Sequence, residues 1–235
     1  MRKFMLLFFL LFFCLQFLSA QKLNFPSKIN FFQYSKSDSG HLYEIPNVRV
    51  WGWSKNGKVA YSIERKVEGR GGQEIDFIIL DLITDNPVFE LKMDSFDNND
   101  VEDEALYNMY RAAISNALKT NNIINQKTVF LPFPFTRNKT RYDSQIINTE
   151  YIKSDFAFSF VVSEYTVLVT ANDKRKITGN FAPVNSLTGY VYICGYIVSP
   201  YENRALVVVA EEHWGHEGTE LTFRLSGCNL GVGFN

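Results

Sequence analysis

Val48-Arg49-Val50-Trp51-Gly52-Trp53-Ser54-Lys55-Asn56-Gly57-Lys58-Val59-Ala60-Tyr61-Ser62-Ile63 decides the fold class. Side chains alternate at a spacing of two along both arms. Val48 and Val50 fall on one face with Arg49, Trp51 and Trp53 on the other, and Val59, Tyr61 and Ile63 share a face of the return arm. Between the arms, Asn56-Gly57 accepts the positive φ angles of a tight turn, so the stretch reads as a hairpin. The pattern continues beyond a Gly69-Arg70-Gly71-Gly72 loop. Phe77 to Leu80 is apolar on both faces, as suits a central strand, and after the turn residues Thr84-Asp85-Asn86-Pro87 a last strand covers Val88 to Met93. Residues 48–93 are therefore an antiparallel meander.

One amphipathic helix is expected next, over about residues 100–120. Asn98, Asn99 and Asp100 offer N-capping oxygens, and Glu102, Asp103 and Glu104 favour the positive end of the dipole. Leu106, Met109, Tyr110, Ala113, Ile114, Ala117 and Leu118 recur at helical spacing, a face made to cover a sheet. Pro132 and Pro134 break regular structure and divide the chain into 21–130, a meander plus helix, and 131–235, a second meander, unless 21–235 is one continuous domain. In the second half Phe156, Phe158, Phe160 and Val162 alternate with smaller residues, and Tyr165, Val167 and Val169 continue the rhythm. Residues 190–198, 204–210 and 219–226 read as three strands, with Ala205 to Ala210 apolar on both sides and Leu221, Phe223 and Leu225 alternating with Thr222 and Arg224. The class is mainly β, with one helix packed on a sheet.

The N-terminus sets the compartment. Arg2 and Lys3 precede an apolar run from Phe4 to Leu15, and Ser19-Ala20 supplies small residues before Gln21, so residues 1–20 read as a signal peptide cut between Ala20 and Gln21. Gln16 interrupts the run after twelve residues, short of the roughly 20 that span a bilayer. The expected location is periplasmic or extracellular, with membrane contact only through the uncleaved leader. Losing the leader removes two bases and no acid, so the formal charge moves from −1 to −3. Such a chain has no basic field for nucleic acid.

Several constellations invite chemistry. His213, His216 and Glu217, within Glu211-Glu212-His213-Trp214-Gly215-His216-Glu217, could supply nitrogen and oxygen ligands to zinc, although the spacing is not that of a helical His-Glu-x-x-His site and the flanking glycines suit a hairpin loop. Tyr190, Tyr192 and Tyr196 lie at strand spacing and are expected on one face, as a platform for sugar rings or peptides or as the aromatic side of a core. Export makes a Cys194–Cys228 disulfide the first pairing to test. In a meander their strands stand about 9.5 Å apart, beyond the roughly 7 Å a disulfide tolerates, so the bridge requires the tail to fold back and the alternative is two buried thiols. Neither a Gly-x-Ser-x-Gly elbow nor a Walker-type loop is present, and no cofactor is expected.

Trp53 to Tyr61 resembles the strand-turn-strand opening of a β-propeller blade, and Gly195 to Leu206 is similar to it. Gly215-His216-Glu217-Gly218-Thr219-Glu220 in turn resembles a Gly-Phe-Glu-Gly-Pro-Asp-like stretch. A family of predicted secreted bacterial proteins of unknown function carries that stretch after an early blade-like segment. Here His216 replaces the aromatic and Thr219 the proline. The resemblance implies secretion and blade-like sheets and brings no activity. The expected function is a non-enzymatic binding or cell-envelope module whose partner is an envelope protein or a glycan; the alternative is a secreted, metal-assisted hydrolase centred on His213, His216 and Glu217.

Overall fold

The structure is a computed structural model and describes residues 23–29, 31, 42–66, 71–95, 101–155, 158–181, 188–214 and 219–235. The strands are β1 (Lys28–Ile29), β2 (Leu42–Glu44), β3 (Asn47–Trp53), β4 (Lys58–Lys66), β5 (Gln73–Asp81), β6 (Asn86–Asp94), β7 (Phe130–Leu131), β8 (Phe135–Arg137), β9 (Thr140–Asp155), β10 (Phe158–Ala171), β11 (Lys174–Phe181), β12 (Thr188–Val198), β13 (Arg204–Trp214) and β14 (Thr219–Asn229). They form a first sheet of order β1-β3-β4-β5-β6, a middle sheet β2-β14-β13-β12-β7 and a third sheet β11-β10-β9-β8. Every pairing is antiparallel except β14 with β2.

The expected meander is the first sheet. Its opening turn is closed by Ser54, whose N–H donates to the Lys58 carbonyl at 2.9 Å and whose Oγ accepts from the Lys58 N–H at 2.8 Å, while Gly57 takes φ +82°. The expected helix is two segments, α1 (Asp103–Met109) and α2 (Arg111–Thr120), broken at Tyr110. The break changes the buried face. Leu106, Tyr107, Ile114 and Ala117 are buried, whereas Met109 is 70 % exposed. Helical spacing carried across Tyr110 thus names Met109 wrongly and misses Tyr107.

Three apolar interfaces stack the elements into four layers. Trp51, Phe77 and Ile79 of the first sheet meet Leu106, Tyr107 and Ile114 of the helices. The opposite face of that sheet, with Val48, Val50, Trp53 and Val59, meets Leu206, Val208, Phe223 and Leu225 of the middle sheet. The far face of the middle sheet, with Tyr196, Ala205, Val207 and Val209, meets Tyr142, Val167 and Val169 of the third. Strand β13 is covered on both sides, as the continuous run Ala205 to Ala210 requires. The middle interface draws residues from both sides of Pro132. A propeller arranges at least four blades around a channel; here helices cover the outer face of the first sheet, and the blade-like stretches belong to a layered stack.

Two bulges set which side chains enter which interface. The register of β3 on β4 slips between Val50 and Gly52, so Trp51 lies against the helices and Trp53 against the middle sheet, on opposite faces and not on the common face their spacing implied. Ile124 crosses here, exchanging backbone hydrogen bonds with Trp53 at 3.0 and 2.9 Å, and a Cβ on Gly52 would overlap the Ile124 carbonyl oxygen. Likewise β12 slips between Ile193 and Gly195, where a Cβ on Gly195 would overlap the Leu131 carbonyl oxygen of β7.

Candidate functional site

The slip in β12 takes apart the expected tyrosine platform. Tyr192 is buried against the first sheet, Tyr196 is buried against the third and stacks on Phe135 at 3.8 Å, and Tyr190 is exposed. Two of the three are core, and they sit on opposite faces. The same slip separates the cysteines. Cys194 belongs to the interface with the first sheet and Cys228 to the interface with the third, with β13 between their strands; both are free thiols. Burial pushes the Cys194 thiol up to about 12 and the Cys228 thiol up to about 11, so neither is a ready nucleophile.

His213 lies opposite Glu220 on β14, with Nε2 3.2 Å from Glu220 Oε2, and its side chain is buried. Its neighbour Glu211, wholly buried, accepts from Arg224 Nε, and the Arg224 guanidinium lies 4.7 Å from the Phe181 ring centroid. This end of β13 thus carries polar cross-strand pairs to β14 within the middle sheet. His216 and Glu217 lie outside the described residues, as does the Ala20–Gln21 cleavage point. Among the described residues no group of three or more His, Cys, Asp or Glu side chains is placed to hold a metal ion.

Sequence reasoning missed a charged cluster between the first sheet and α1. Glu64 is 2 % exposed and accepts from Arg49 Nε and, at 2.9 Å, from the Tyr107 hydroxyl. Lys28 Nζ stands 3.2 Å from Glu64 Oε2 and 2.5 Å from Asp103 Oδ2. Ser62 Oγ, 2.6 Å from the Tyr107 hydroxyl, accepts from Trp51 Nε1 at 3.0 Å. Burial raises the Glu64 carboxyl above its usual range, with Arg49 opposing the rise; burial, and then the Glu64 charge, raise the Tyr107 phenol. Each charge is tied to a partner on another element, so the cluster ties strands β1, β3 and β4 of the first sheet to α1. The available signal was Ser62 and Glu64 alternating with Tyr61 and Ile63, a strand buried on both faces.

The recess with free binding capacity lies elsewhere. Strand β2 pairs with β14 only at Thr219 and Glu220, then ends before Pro46, which has no N–H to continue a ladder. From Leu221 onward, no strand among the described residues pairs with the outer edge of β14. The first sheet extends past this edge, and between them lies a groove of about 340 Å³ lined by Tyr61, Asp76, Ile78, Asp85, Glu90 and Thr222. Its lining carries three carboxylates, Asp76, Asp85 and Glu90, against the guanidinium groups of Arg65 and Arg224. Arg65 is held by Glu74 at 2.8 Å and by Asp76 at 2.8 Å, and Asp85 accepts from the Gly227 N–H at 2.6 Å. Burial raises the Tyr61 phenol, and the Asp85, Glu90 and Asp76 charges raise it further. Thr222 Oγ1 is buried without a hydrogen-bond partner among the described residues. A larger cleft of about 550 Å³ beside β1 is lined by the 25–29 and 125–128 segments, and its Lys28 is already engaged by Asp103 and Glu64. The chain finds no match among protein-family models, curated proteins or solved structures.

Proposed function

We propose that the chain is an exported, non-enzymatic binding module, periplasmic or extracellular, whose ligand seats in the groove beside β14. One observation carries this reading: a strand edge unpaired among the described residues and the carboxylates of Asp76, Asp85 and Glu90 converge on a recess whose described lining is otherwise mostly apolar. Binding needs donors and acceptors fixed by a rigid frame, and the two sheets supply that frame. Of the residues a hydrolase would use, His213 lies outside this groove, 3.2 Å from Glu220.

The test is amide chemical-shift mapping of the protein lacking residues 1–20 against simple probes: a basic peptide, an acidic peptide, a chitin oligosaccharide and a muropeptide. The reading expects shifts at Tyr61, Glu90 and Leu221 to Leu225 with one of them, the probe being recovered chemically unchanged. Turnover of a probe, with shifts centred on His213, would overturn it.

A further inference from the structure

The geometry points to an extended, basic peptide segment as the groove's occupant, added as a new strand along the free edge of β14. This rests on the binding-module reading and supplies its ligand class. The first support is the edge itself. Leu221 to Leu225 spans about 17 Å of strand, a length over which main-chain hydrogen bonds to an added strand supply affinity and alternate side chains supply specificity. Natural sheets blunt such edges with proline, inward charge or a covering element. Here the proline stands just after the neighbouring strand, at Pro46, beyond which no described strand continues along the edge. Arg224, the one charged residue in the stretch, also lines the groove, but its guanidinium is engaged by Glu211 and Phe181.

The second support is the ledge beside the edge. Leu221, Phe223 and Leu225 face the first sheet. A strand laid next to them sends alternate side chains the same way, over Tyr61, Ile78, Asp76 and Glu90. Asp85 and Glu90 carry no ion pair there among the described residues, and Asp76 shares the single Arg65 with Glu74. Lysine or arginine at alternate positions of the incoming strand meets this charge; an acidic strand is repelled by it. The other alternate side chains pass Thr222, whose buried hydroxyl lacks a partner among the described residues. Glycans share the polar chemistry but have no use for an open strand edge.

The test is fluorescence anisotropy with a labelled peptide of about seven residues alternating lysine and valine, its glutamate counterpart, and the lysine peptide N-methylated at every second amide. The basic peptide is expected to bind at least about tenfold tighter than the acidic one, to weaken severalfold on raising salt, and to lose affinity on N-methylation, which keeps charge and removes strand donors. Glu90→Lys, a change at an exposed position, is expected to weaken it severalfold with the thermal midpoint unchanged. Equal binding of basic and acidic peptides, or indifference to N-methylation, overturns the proposal. So does a concentration-dependent dimer in sedimentation that Glu90→Lys abolishes, which would make a second copy of this chain the occupant. If neither peptide binds while an oligosaccharide shifts the Leu221 to Leu225 amides, the peptide proposal falls and the binding-module reading stands.

Discussion

Replacing Arg49 by Met leaves Glu64 buried with only Lys28 and Tyr107 beside it. Removing one partner of a buried ion pair costs about 3–5 kcal/mol. Because Lys28 remains within ion-pair distance, the low end, about 3 kcal/mol, applies at neutral pH. The cost must also depend on pH. A carboxyl whose folded pKa is raised stabilises the fold fully below its unfolded pKa, near 4.5, and loses that contribution as pH rises through the folded value. Arg49 opposes the rise in the wild type, so Arg49→Met lifts the folded pKa further and extends the window upward. In acid both proteins carry a protonated Glu64. The gap there shrinks to the lost hydrogen bond from Arg49 Nη1 to the Pro26 carbonyl, 2.6 Å in the structure and worth about 1 kcal/mol. Above the wild-type pKa the gap widens by up to about 1.4 kcal/mol per pH unit, until the variant's Glu64 also ionises. Urea unfolding between pH 5 and pH 8, followed by the fluorescence of buried Trp51 and Trp53, measures it. A gap that stays constant across this range, or never exceeds about 1 kcal/mol, would refute the reasoning.

Three further outcomes follow from the same structure. In the protein lacking residues 1–20, which retains only Cys194 and Cys228, both thiols are expected to resist iodoacetamide in the native state at pH 8 and to react fully in urea, and the intact mass without reductant should show two thiols; a native loss of two hydrogens would place them in a bridge. Gly52→Ala and Gly195→Ala should each lower stability by about 1–3 kcal/mol through backbone overlap. Gly179→Ala, whose Cβ would meet Ser226 at an ordinary 3.7 Å, should change it little, and equal effects at all three positions would count against the bulge geometry. Finally, the protein recovered outside the cytoplasm of its producing cell should begin at Gln21, as amino-terminal sequencing would read; an intact Met1 would remove the basis for export.

The hairpin at Asn56-Gly57, the meander after it and the three C-terminal strands were legible because their patterns are local. Legibility stopped where one backbone crosses another. Alternation assigns Trp51 and Trp53 to one face and Tyr192 and Tyr196 to another shared face, and each assignment fails at a single extra residue beside a glycine. Gly52 and Gly195, glycines inside otherwise strong strands, were the available warning. Strand β9 was missed for a different reason. Ser144, Gln145, Asn148, Thr149 and Glu150 show no apolar rhythm, because most of that stretch is exposed and held by its ladder with β10. The groove could not be read at all, since it arises from the offset between two sheets, a relation that no run of residues encodes.

The order of the layers carries a consequence for how the molecule is assembled. Strands β12, β13 and β14, which supply most of the middle sheet, lie downstream in the chain of nearly everything they separate. As the polypeptide emerges from amino to carboxyl end, the first and third sheets must wait, each with one oily side still wet, for a late insert to join them. A nascent chain of this design gains little by folding early, because its outer sheets close only once the C-terminal strands are available to both.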